Sequence, residues 1–155
     1  MPRMPNSRLA VLLLGVLLGA CGGGAAGSPA AMTSAAGGIE ISAAWVRPAA
    51  VGAETAAYFT ITNHGPADTL IAVHAPIAAS SMIHQAATDS GGMTGMSMVS
   101  DVPIPAGGRV ELQPGGMHVM LTGLTSLLAA GTTVELELAF EHAGIVRVTT
   151  AVREG

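Results

Sequence analysis

From residue 133 to 140 the chain alternates strictly: Val134, Leu136, Leu138 and Phe140 are apolar, with Thr133, Glu135, Glu137 and Ala139 between them. An extended strand turns successive side chains to opposite faces, so this segment buries one face and shows the other to water. Similar short segments recur at 39–46, 56–63, 70–75, 82–86, 98–102, 109–112, 117–122 and 145–152, separated by Pro, Gly, Asn or Asp. The last two strands, 133–141 and 145–152, form a hairpin around residues 141–144. After the first twenty residues no stretch carries a convincing helical period, and 125–130 offers room for one turn. The pattern predicts an all-β chain, an antiparallel β-sandwich or barrel.

The N-terminus follows other rules. Arg3 and Arg8 precede an apolar run over 9–20 that is shorter than the roughly 20 residues a membrane-spanning helix needs. It reads as a secretory signal peptide over 1–20. The run ends Leu18-Gly19-Ala20-Cys21, which looks like a bacterial lipobox and makes Cys21 the expected lipidation site. Residues 21–38, rich in Gly, Ala and Ser, are expected to form a lipid-bearing flexible tether. The folded domain is then 39–155. This predicts an extracytoplasmic, membrane-anchored lipoprotein, in the periplasm or on the outer face of the cell membrane.

Composition removes several functions. The six positive charges are all arginine, they face ten acidic residues, and no basic patch is present, so nucleic acid is not an expected partner. One cysteine permits neither an internal disulfide nor a Cys-based zinc site. No nucleophile elbow, zinc-protease, dinucleotide or phosphate-loop motif occurs, and the chain is not expected to be an enzyme. Asp89 and Asp101 read as solvated loop acids, and His64, at a strand end, and His142, in a turn, read as solvated histidines. His74 and Trp45 read as structural.

What stands out is sulfur. The chain has nine methionines, with Met93, Met96, Met98 and Met117 close together in sequence. His118 and Met120 are two apart in a predicted strand and share a sheet face, with Val119 on the other. Met82 and His84 share a face in the same way. Met96 falls in 91–99 (GGMTGMSMV), read as a mobile glycine-rich loop in which an exposed thioether has no packing role. Singly, each residue has an ordinary explanation as core filler or surface histidine. Together, two imidazoles and two thioethers make an uncharged, soft donor set that prefers Cu(I) to hard ions. The missing thiolate disfavours a blue-copper site, and zinc would want Cys, more His or a carboxylate. Because imidazole must be neutral to ligate, affinity should weaken below about pH 6.5.

At these residues the chain resembles the periplasmic copper chaperones of the PCuAC family. Their motif reads here as His84, Gln85, ten residues, Met96, twenty-one residues, His118, Val119 and Met120. Gln85 stands where the family often has Met, at a position outside the four ligands. Weaker similarities are Ala44-Trp45-Val46-Arg47, the strand over 58–63, and residues 102–108 and 114–118. The resemblance spans about 39–152. It implies a cupredoxin-like (Ig-like) β-sandwich that binds Cu(I) through His84, Met96, His118 and Met120. It also implies transfer of the ion to an acceptor such as the CuA centre of cytochrome c oxidase, sometimes alongside a Sco-type thiol protein. The Met/His-rich tail that takes Cu(II) in some members is expected to be absent. Two alternatives stay open: a copper-buffering or resistance lipoprotein, and a lipid-anchored interaction domain without metal.

Overall fold

The computed structural model describes residues 34–155, and within them every regular element is a strand. The signal segment, Cys21 and the tether up to residue 33 lie outside the described residues. The strands are β1 (Ser34–Ala36), β2 (Ile39–Val46), β3 (Thr55–Asn63), β4 (Asp68–His74), β5 (Ala78–Thr88), β6 (Thr94–Val99), β7 (Val102–Ile104), β8 (Arg109–Leu112), β9 (Met117–Leu124), β10 (Thr133–Phe140) and β11 (Gly144–Val152). They form a β-sandwich built from one continuous hydrogen-bonded path, β6-β5-β9-β3-β2-β11-β10-β4-β7, with β1 on β2 and β8 on β3. Both halves of the path feed one core. Phe59, Ile61, Val119 and Leu121 come from one half, and Leu70, Leu136, Leu138 and Val148 from the other.

The alternation over 133–140 does what it predicts: Val134, Leu136, Leu138 and Phe140 are buried, and the hairpin partner β11 matches it from Thr133↔Ala151 to Phe140↔Gly144. Each such fully buried side chain contributes about 1.5–3 kcal/mol of transfer free energy. Pairing is antiparallel except between β11 and β2, which run parallel at Ala151↔Trp45 and Val152↔Val46.

Three segments depart from the expectation. Residues 34–36, read as the end of the tether, pair with Ile39–Ile41 through a two-residue turn at Gly37 and Gly38. Both glycines have positive φ, 59° and 84°, as the tight hairpin turn that matches strand twist requires. Residues 94–99, read as a mobile loop, form edge strand β6, paired with β5 from Ile83↔Val99 to Thr88↔Thr94. The expected strand 98–102 is divided at Ser100 and Asp101, and Val102–Ile104 instead pairs with β4. Residues 125–130 hold no helical turn; Leu128 bridges Ala49 through hydrogen bonds in both directions.

One irregularity positions the functional face. In β2, Ser42 pairs with Thr60 but Trp45 pairs with Tyr58, so β2 carries one extra residue. Ala43 in that bulge has φ 51°, the only positive φ outside glycine among the described residues. A bulge reverses the inward parity of the residues beyond it. Ile39 and Ile41 point into the core before it and Val46 after it, so Trp45 turns to the opposite face.

Candidate metal centre

The outer face of β9 carries His118 and Met120, because Val119 and Leu121 are committed to the core. On its neighbour β5, Ile83 points into the core, and Met82, His84 and Ala86 share the outer face. Register then aligns the two strands: His84 stands opposite His118, and Met82 opposite Met120. The imidazole centroids are 5.9 Å apart with the rings nearly perpendicular, at 80°. On the far side of β5, Met96 of β6 pairs with Ala86, and Met98 pairs with His84. Met120 also pairs with Ala56 of β3. The four candidate ligands therefore lie on one face of three adjacent strands.

His118 is 6% exposed, and its Nδ1 lies 3.1 Å from the Gly116 carbonyl. A carbonyl only accepts, so Nδ1 carries the proton and donates, leaving the Nε2 lone pair free. That is the arrangement by which protein backbones orient metal-binding histidines. The same carbonyl accepts the Ala86 N–H at 3.1 Å, tying β5 to the start of β9. A turn over Gln113–Gly116 sets its position. Gly116 N–H donates to the Gln113 carbonyl at 3.0 Å, Pro114 precedes Gly115, and Gly115 has φ 80°. These are the features of a type II turn, which needs glycine at its third position. The segment 114–118 thus has a local physical purpose.

His84 is half-buried, and its Nδ1 is buried without a hydrogen-bond partner. An unsatisfied buried polar atom costs about 1–3 kcal/mol, which a bound cation would offset. Met96, His118 and Met120 line one cavity of about 490 Å³, together with Tyr58 and Ala86. His84 does not line that cavity; it reaches the group through His118. Met96 is 63% exposed at the sheet edge, while Met120 is half-buried. Among the described residues no three His, Cys, Asp or Glu side chains gather as a metal site, so any metal here depends on the thioethers.

Aromatic residues back the site. Tyr58 lies with its ring centroid 6.4 Å from that of His118, and Trp45 stacks on Tyr58 at 4.5 Å. Arg47 sits over Tyr58 and Arg153 over Trp45. The role of Tyr58 escaped the sequence reading, although its spacing of two from Ala56 already put both on one face. The Gly116 carbonyl was also missed, because a backbone acceptor has no side-chain signature.

Asp89 organises the β5–β6 turn, its Oδ1 accepting from the N–H groups of Gly91 at 2.8 Å and Met93 at 3.0 Å. Asp101 is exposed, and so is His74 at the end of β4, where a structural residue was expected. His64 is exposed and meets Glu40 at 2.9 Å. His142, also exposed, lies 3.3 Å from the buried carboxylate of Asp68.

Residues 39–152 match the model of a family described as "Putative lipoprotein LpqE-like". A similar chain is "Putative lipoprotein Lxx21020" of Leifsonia xyli subsp. xyli (strain CTCB07), 35% identical over 120 residues, 77% of this chain and 72% of that one. The fold is similar to the copper-bound PCuAC domain from PmoF2, with a TM-score of 0.68 and 28% identity over 80% of this chain and 99% of that one. It is also similar to the solution structure of CuI-DR1885 from Deinococcus radiodurans, with a TM-score of 0.55 and 38% identity over 73% of this chain and 78% of that one. The match over residues 39–152 places this β-sandwich: the chain belongs to the LpqE-like family and has the fold of PCuAC domains.

Proposed function

We propose that this chain is an extracytoplasmic copper chaperone that holds Cu(I) through His84, Met96, His118 and Met120. The observation that carries the reading is the His84–His118 pair, with the His118 Nδ1–H committed to the Gly116 carbonyl and both thioethers on the same face. Copper bound to the two structural relatives supports the choice of metal. Four uncharged donors leave a bound Cu(I) with a net charge of only +1, which lowers the desolvation cost relative to a divalent ion.

The same geometry suits delivery. Met96 lies on an edge strand and is 63% exposed, so an incoming sulfur or imidazole ligand can replace it while His118, anchored by its backbone hydrogen bond, keeps hold. Copper stays Cu(I) throughout, and each exchange replaces one donor lone pair with another. Cys21 would carry the lipid that keeps the domain at the membrane surface, and residues 22–33 would serve as tether. A membrane-bound acceptor fits that placement, and the CuA centre of cytochrome c oxidase, with or without a Sco-type protein, is the proposed destination. Mixing the Cu(I)-loaded protein with an apo CuA domain tests delivery. Copper should move to the acceptor faster than it appears free in solution; transfer no faster than dissociation to a small chelator would contradict it.

A further inference from the structure

The imidazole pair has thioethers on two sides, and only one set belongs to the proposed site. Met98 stands directly opposite His84 in the β5–β6 ladder, two register positions nearer than Met96, which stands opposite Ala86. Met82 is two residues before His84 on the same strand and directly opposite Met120. Met82 and Met98 line a separate cleft of about 200 Å³ with Ser81, Ile83, Val99 and Ile71. Met96 and Met120 line the larger cavity instead. His84 lines neither opening, but it pairs with Met98 on one side and His118 on the other, and its buried Nδ1 has no protein partner. Met98 is 70% exposed, so packing gives no reason for a large apolar side chain there.

We infer that Met82 and Met98 form a second position for a soft monovalent ion, adjacent to the first and sharing His84. This rests on the copper reading above and deepens it. The ion moves between positions by exchanging its bonds to Met96, Met120 and His118 for bonds to the sulfur lone pairs of Met98 and Met82, while His84 stays bound and the His118 lone pair is left free. No electron or proton is transferred. Thioethers suit such a track because they are soft, uncharged and carried on flexible stems. The ion can then enter over one cleft and leave over the other.

The test uses residues 22–155, which carry the whole described fold, labelled with ¹³C at the methionine methyl groups. One equivalent of Ag(I), a closed-shell stand-in for Cu(I), is added. The methyl signals of Met82, Met96, Met98 and Met120 should all shift with that first equivalent, and that of Met93, at the hairpin turn, should stay. The volume-conserving pair Met82→Leu and Met98→Leu should still bind one ion, but release it to a thiol-free Cu(I) chelator several-fold more slowly than the parent. Movement of Met96 and Met120 alone would overturn the second position and leave the copper reading standing. So would shifts in all four combined with unchanged release from the leucine variant. Absence of any shift would overturn both.

Discussion

His84 and His118 stand directly opposite each other across the β5–β9 ladder, with ring centroids 5.9 Å apart. Thirty-three residues separate them in sequence, and the register alone brings them together. Replacing either with Ala removes an imidazole donor. The loss of Cu(I) affinity should exceed the roughly 10–100-fold that removing an outer hydrogen-bond partner typically costs. Competition with a Cu(I) chelator measures it, and circular dichroism confirms that the sandwich remains folded.

The turn before β9 makes a second prediction. Gly115 has φ 80° with open space where a Cβ would stand, so backbone strain is the whole cost of adding one. Gly115→Ala should destabilise the fold by about 1–2 kcal/mol, seen as a lower denaturant midpoint. It should also weaken Cu(I) binding, because the turn sets the Gly116 carbonyl that orients His118. A stability loss with unchanged affinity would detach the turn from the site.

Much of this was readable from the residues, for a physical reason. Strands with one buried face announce themselves by period two, as β10 and β9 do, and a parity rule then put His118 and Met120 on one face. Strand β6 lacks that signal: Thr94 to Met98 are exposed on both faces, so no alternation exists to be read, and its order comes from backbone pairing with β5. The bulge at Ala43 was equally silent. One extra residue reverses parity without any change in composition, which is why Trp45 turns to the metal face. The parallel contact of β11 with β2 depends on how the two halves fold over, which no local pattern records.

Trp45 provides an optical check. It is the only tryptophan in the chain and stacks on Tyr58, whose ring lies beside His118. Adding Cu(I) should change the tryptophan emission up to one equivalent, and the change should vanish in His118→Ala. Unaltered emission during stoichiometric binding would place the metal elsewhere.

Away from the metal face, Asp68 links the start of β4 to the β10–β11 turn. Burial raises its pKa, but the N–H groups of His142, Thr69 and Ala143, with the His142 ring, outweigh that. The net value lies below the usual 3.8. A carboxylate with a lowered folded-state pKa stabilises the fold above its unfolded value, and the contribution is lost as pH falls through the folded value. Asp68→Asn should therefore be less stable than the parent at neutral pH, and the difference should close in strong acid. Urea titrations at several pH values measure it.

The central claim is the four-residue Cu(I) site, and anaerobic Cu(I) titration of residues 22–155 against a competing chelator tests it most directly. The parent is compared with single replacements His84→Ala, Met96→Leu, His118→Ala and Met120→Leu. The account predicts one tightly held copper per chain in the parent and weaker binding in each variant, the histidine changes costing more than the methionine ones. Binding that is absent from the parent, or unchanged in all four variants, would contradict it.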